Sequence, residues 1–156
     1  MVPPQDAVIL LVDDSPDDVN AIEGGWIKAN LQNRLLKMRD PEEALSYLRG
    51  YGEHSDRQRC PLPNLVLLKL NRPDAEGVAI LEEMRSRPQC RLIRVIVLIP
   101  ADKLETANRA YDAGASACVI APDEPEGYEG LLRSIGSYWL RRNAMPAVDQ
   151  AEESLC

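Results

Sequence analysis

The chain has 156 residues, enough for one domain with a sizeable core, and its 45% hydrophobic and 28% charged content is that of an ordinary globular protein. A formal net charge of -7 opposes phosphate backbones and anionic lipid heads, so neither nucleic acid nor a membrane surface is an expected partner. No run approaches the ~18 to 20 apolar residues of a membrane span, and Met1 to Asp6 shows no basic stretch leading into a long apolar one, so no secretory signal is expected.

After a short lead, residues 1–6, the apolar run Val8 to Val12 reads as a strand buried on both faces, as in a parallel sheet. Ser15-Pro16-Asp17-Asp18 then places a capping residue before a helix-starting proline with acids in the first turn. Gly24-Gly25 inside this helix is costly, about 0.5 to 1 kcal/mol per glycine against alanine. Arg34 to Met38 is a weaker strand, and Asp40-Pro41-Glu42-Glu43 repeats the capping device ahead of a stripe of Ala44, Leu45 and Leu48. Residues 50 to 63 form a polar loop that holds the sole histidine, His54, expected to be an ordinary surface residue.

Leu65 to Leu68 is the next strand, and a helix carrying Val78, Leu81, Met84 and Arg85 follows Pro73. Val95 to Ile99 is a fourth strand. Asp102 and Glu105 suggest a cap before Ala107, Ala110 and Tyr111, and Ala117 to Ala121 is the fifth strand. Leu131, Leu132, Ile135, Tyr138 and Trp139 line one face of a last helix, closed by the basic pair Arg141 and Arg142, which suits a helix C-terminus. The domain is expected over residues 7–141, with a loose tail over 142–156. Cys60, Cys90, Cys118 and Cys156 contain no CxxC pair, which argues against zinc or dithiol chemistry; free thiols in a cytoplasmic protein are expected.

Five strand–helix alternations predict an α/β fold, a doubly wound five-stranded parallel sheet of flavodoxin-like topology with strand order 2-1-3-4-5. Such folds place their sites at the carboxyl ends of the strands. There this chain presents Asp13 and Asp14, then Lys69, then Ile99-Pro100, then Ala121-Pro122. Adjacent acids after a strand suit either a hard cation or a helix cap, and both readings stay open.

Val12-Asp13-Asp14-Ser15-Pro16-Asp17-Asp18, the segment Leu65 to Gly77, and Ala113-Gly114-Ala115-Ser116-Ala117 followed by Val119-Ile120-Ala121-Pro122 together resemble response-regulator receiver domains over roughly residues 7 to 141. Ser46-Tyr47-Leu48-Arg49-Gly50, the long loop to Pro63, and Ser137-Tyr138-Trp139-Leu140 are similar to the single-domain regulators that accompany bacterial phytochromes. The resemblance implies an acceptor aspartate at the end of the third strand, a hydroxyl residue ending the fourth, an aromatic on the fifth, and a lysine before its closing proline. These positions hold Lys69, Ile99, Cys118 and Ala121, and only the acidic pair Asp13 and Asp14 is kept. A lysine cannot form an acyl phosphate, and its charge repels the divalent metal the chemistry needs.

The site is therefore expected to be degenerate, with no catalytic residue, metal or cofactor. The chain is expected to be a non-enzymatic pseudo-receiver of two-component phosphorelay signalling that acts by protein–protein contact. Its implied partners are signalling proteins such as a sensor histidine kinase or a phytochrome-type receptor, or a second copy through residues 102–141. Within that stretch Tyr111, Tyr128, Tyr138 and Trp139 are expected to serve mainly as packing residues.

Asp13, Asp14 and Lys69 carry a formal sum of -1, where three carboxylates would carry -3. A unit pair at ~4 Å and an effective dielectric of ~20 attracts by roughly 4 kcal/mol before desolvation. Lys69 is thus expected to close over Asp13 or Asp14 in place of a metal. An active regulator phosphorylated on Asp13 or Asp14 is the alternative. A Schiff-base enzyme built on Lys69 lacks any supporting group, and a flavin phosphate would meet two acids where it needs backbone donors.

Overall fold

The structure is a computed structural model, and it describes residues 2–69 and 76–148. Five parallel strands, β1 (Ile9–Asp13), β2 (Leu35–Met38), β3 (Leu65–Lys69), β4 (Arg94–Ile99) and β5 (Ala117–Ile120), form one sheet in the order β2-β1-β3-β4-β5. This is the architecture the alternation of apolar runs and capped helices predicts. Leu70 to Pro73, in the segment matched to the family's phosphoacceptor loop, lie outside the described residues.

Alternation along the central strands divides the core in two. Leu10, Val12, Val66, Leu68, Val95 and Val97 point to the face covered by α2 (Pro41–Arg49), α3 (Glu76–Ser86) and α4 (Thr106–Ala113). Ile9, Leu11, Leu65, Leu67, Ile96 and Leu98 point to the other, covered by α1 (Pro16–Lys28) and α5 (Gly127–Ile135). A π-helical stretch, Gly136–Arg142, continues α5 and ends in the expected basic pair.

The capping signals divide. The Ser15 side chain accepts the Asp18 amide, and Asp40 accepts that of Glu42, each ahead of a proline. Asp102 and Glu105 cap nothing. Ala101–Lys103 forms a tight 3-10 turn, and Glu105 already has helical dihedrals, so its side chain cannot fold back on the first turn.

Three other expectations change. His54 packs against the Tyr47 ring, centroids 5.1 Å apart, instead of standing free on the surface. Tyr111 and Tyr138 are 50% and 55% exposed, while Tyr128 is buried as expected. The loose stretch does not begin at residue 142. Met145 and Val148 are buried, and the Met145 carbonyl accepts the Val2 amide, because an apolar residue at each position finds open core edge. Residues 149–156, with Cys156, lie outside the described residues; among the described residues Cys60, Cys90 and Cys118 form no disulfide with one another.

The two helix glycines have different reasons. A Cβ on Gly25 would lie 3.0 Å from the Tyr128 carbonyl carbon and 3.1 Å from the Glu129 nitrogen, so this residue sets how closely α1 approaches α5. A Cβ on Gly24 would meet nothing within 4 Å. Gly24→Ala is therefore expected to stabilise the fold by about 0.5 to 1 kcal/mol through helix propensity, whereas Gly25→Ala destabilises it by pushing backbone against backbone. Paired urea melts check the opposite signs.

Candidate functional site

The site forms where β1 and β3, neighbours at the centre of the sheet, end side by side. Their register sets Asp13 opposite Lys69, so the fold itself brings a carboxylate and an ammonium to the same rung. Both are buried, Asp13 at 0% exposed and Lys69 at 8%.

Asp13 turns the chain into α1. Its Oδ1 accepts the Ser15 amide at 2.9 Å, and Ser15 then caps the helix through the Asp18 amide. The other oxygen, Oδ2, is buried and has no hydrogen-bond partner. Burial drives the Asp13 carboxyl up to about 6; the Ser15 amide and Lys69 pull the other way, and Asp18 and Asp14 add to the rise.

Lys69 does not pair with Asp13 or Asp14 as expected. Its Nζ forms a salt bridge and hydrogen bond with Asp18 Oδ2. The cause is local geometry. The β1–α1 turn commits Asp13 Oδ1 to Ser15, while Asp18, three residues after the cap, stands on the first turn of α1 within reach of the end of β3. Asp18 is the site residue that the sequence reading left among the helix-capping acids. The signal was present in the Ser15-to-Asp18 spacing, which places that side chain over the strand ends. Tyr128, on α5, is buried near the two acids; burial raises its phenol, and Asp18 and Asp13 raise it further.

The remaining candidates form an apolar flank. Ile99 and Ala121 are buried and adjacent, with the Ala121 amide donating to the Ile99 carbonyl at 2.8 Å. Cys118 is not beside them. It pairs with Val97, two rungs back, and its thiol donates to the Ala107 carbonyl at 3.8 Å. Its amide, on the edge strand, donates to the Tyr111 hydroxyl at 3.0 Å, which ties α4 to β5. Burial raises the Cys118 thiol.

No family model matches the chain. It is 28% identical over 140 residues to response regulator Rcp1 of Synechocystis sp., covering 90% of this chain and 93% of that protein. It is 30% identical over 139 residues to the probable methanogenesis regulatory protein FilR2 of Methanothrix harundinacea, covering 89% and 87%. The chain belongs to the response-regulator receiver family. Its fold superposes on the phosphorylated cyanobacterial phytochrome response regulator RcpA with a TM-score of 0.81 at 26% identity, covering 91% of this chain and 99% of that one. On the Mn2+-bound form of Rcp1 the TM-score is 0.77 at 28% identity, covering 90% and 99%. The chain is thus a receiver of two-component signalling, similar to regulators associated with phytochromes.

The state of Asp13 makes stability depend on pH. Its carboxyl rises from about 4 in the unfolded chain to about 6 in the fold, so the folded state holds the proton more tightly. Its stabilising contribution is complete below about pH 4 and is lost as pH rises through about 6. Asp13→Asn, which keeps the acceptor for Ser15 and cannot ionise, is expected to be more stable than the parent at pH 7, by up to about 3 kcal/mol. That advantage should shrink towards pH 4. Melts of both proteins across this range test the trend, and an advantage that grows on acidification would refute the assignment.

Proposed function

We propose that this receiver does not take up a phosphoryl group and signals through protein contact. The observation that carries this reading is Lys69. The resemblance implies an acceptor aspartate at this position, and the chain supplies a buried ammonium held by Asp18. Ile99 and Ala121 extend the argument. A phosphoryl group there would find neither a hydroxyl nor an ammonium, and its oxygens would be desolvated against alkyl carbon. Asp13 and Asp14 are poor substitutes as acceptors. Asp13 is buried and committed to the α1 turn, and Asp14 is the next residue of the same turn.

The metal that Rcp1 binds does not suit this pocket. The side chain at the end of β3 is a cation instead of a donor oxygen, and no cluster of three His, Cys, Asp or Glu side chains that could hold a metal occurs among the described residues.

The name of the similar regulator RcpA supports a phytochrome-type receptor as the partner class; a sensor kinase as partner, and action in the cytoplasm, are what membership of the receiver family implies. The surface offered to a partner is the stretch 102–141. Leu104, Tyr111, Ile120 and Tyr138 are all exposed there, and a second copy of the chain could occupy it. Ile120→Asp is expected to shift a sedimentation profile towards monomer; an unchanged profile would remove the 102–141 dimer from the proposal.

The phosphorylation claim is tested by intact mass after incubation with acetyl phosphate and magnesium. No phosphate adduct is expected. A stoichiometric, hydroxylamine-sensitive adduct would overturn the proposal. Lys69→Asp alone should not restore full switching, because Ile99, Cys118 and Ala121 remain. A single mutant that both phosphorylates and changes conformation would show that those positions matter less than argued.

A further inference from the structure

We infer that Lys69 is the resident cation of the acidic pocket, latched there by Asp18, so that the fold needs no divalent metal and has no place for one. The inference rests on the functional reading above and specifies how the same pocket is kept neutral enough to fold.

The pocket gathers carboxylates from two directions. Asp13 and Asp14 come from the end of β1, and Asp18 from the first turn of α1. Asp13 and Asp18 both face Lys69 in this partly desolvated space, and ionised carboxylates there need a positive charge nearby. Asp13 shows where it is needed: its Oδ2 is buried and unpartnered, while its other oxygen is satisfied by the Ser15 amide. The positive charge comes from the adjacent strand. The β1–β3 register places Lys69 beside Asp13, and Asp18 engages the ammonium so that it stays in the pocket instead of extending to water. Asp18 is thus a positioning residue. One ammonium serves two carboxylates, as a direct partner of Asp18 and as a through-space counter-charge to Asp13. A divalent ion entering this space would have to displace a tethered charge of its own sign.

The test compares the parent with Lys69→Met and Lys69→Arg in thermal melts, each in chelator and in millimolar magnesium, with calorimetric titration of Mn2+ as a second readout. The parent and Lys69→Arg are expected to ignore magnesium and take up no Mn2+. Lys69→Met removes the ammonium that Asp18 holds and Asp13 faces. It is expected to melt about 2 to 4 °C lower in chelator and to recover most of that loss in magnesium. Rescue by arginine separates a need for charge from a need for shape. A parent protein whose melting point rises with magnesium as much as that of Lys69→Met overturns the inference, and so does a Lys69→Met variant indifferent to magnesium. Neither result bears on acetyl phosphate, so a failed cation inference leaves the absence of phosphorylation standing. A phosphate adduct would instead refute the functional reading whatever magnesium does.

Discussion

The constraint on which this molecule turns is the facing of Asp13 and Lys69 across the two central strands. A parallel sheet covered on both faces offers little water to a charge, and an unpaired ion there is expensive. The chain meets the constraint with a closed circuit of short-range contacts. Asp13 holds the Ser15 amide, Ser15 caps α1, the cap orients Asp18, and Asp18 holds Lys69, which sits back beside Asp13. The backbone reversal, the helix start and the ion pair are therefore one unit. A change at any member is felt at the others, and double-mutant cycles across Asp18 and Lys69 should be non-additive.

Beyond that circuit the end of the sheet is apolar. Ile99 ends β4, Ala121 follows the last residue of β5 and bonds to the Ile99 carbonyl, and the cleft beside Ile99 is lined mainly by Leu68, Val78, Leu81, Val97 and Ala110. The crevice at the strand ends thus has an ionic half on β1 and β3 and an apolar half on β4 and β5. That division separates the question of charge balance from that of coupling to the surface, because Lys69 can satisfy the first without touching the second.

The fold was legible because its signals are local and redundant. Continuous branched-chain runs mark strands buried on both faces, and Ser-Pro and Asp-Pro mark helix starts by stereochemistry alone. Where a signal was single it failed. Asp102 and Glu105 have the composition of a cap, but a tight turn takes up the chain before the helix begins. Burial of Met145 and Val148 depends on core edge left open by distant strands, which a linear pattern does not encode. The site was half legible. That Lys69 would be neutralised by a carboxylate followed from charge; that Asp18 would supply it depended on which oxygens the β1–α1 turn had already used. Exposure of Tyr111 was not visible either, since its hydroxyl is drawn outward by the free amide of an edge strand.

That last contact bears on how such a receiver could signal. In the resemblance, an aromatic on β5 turns in response to chemistry at the strand ends. Here Cys118 occupies that position, two rungs from Ile99, and Tyr111 reaches over from α4 to hold its amide. Ile99 packs in the apolar cluster that takes in Ala107, Ala110 and Cys118, and its side chain has no directional bond to make or break. Through that cluster a change at the strand ends reaches α4 by moving packed hydrocarbon, which is stiff on the scale of a hydrogen bond. On the proposed reading the α4–β5 surface is accordingly set by its own local contacts. The partner meets a fixed face, and the signal depends on whether the two proteins are both present.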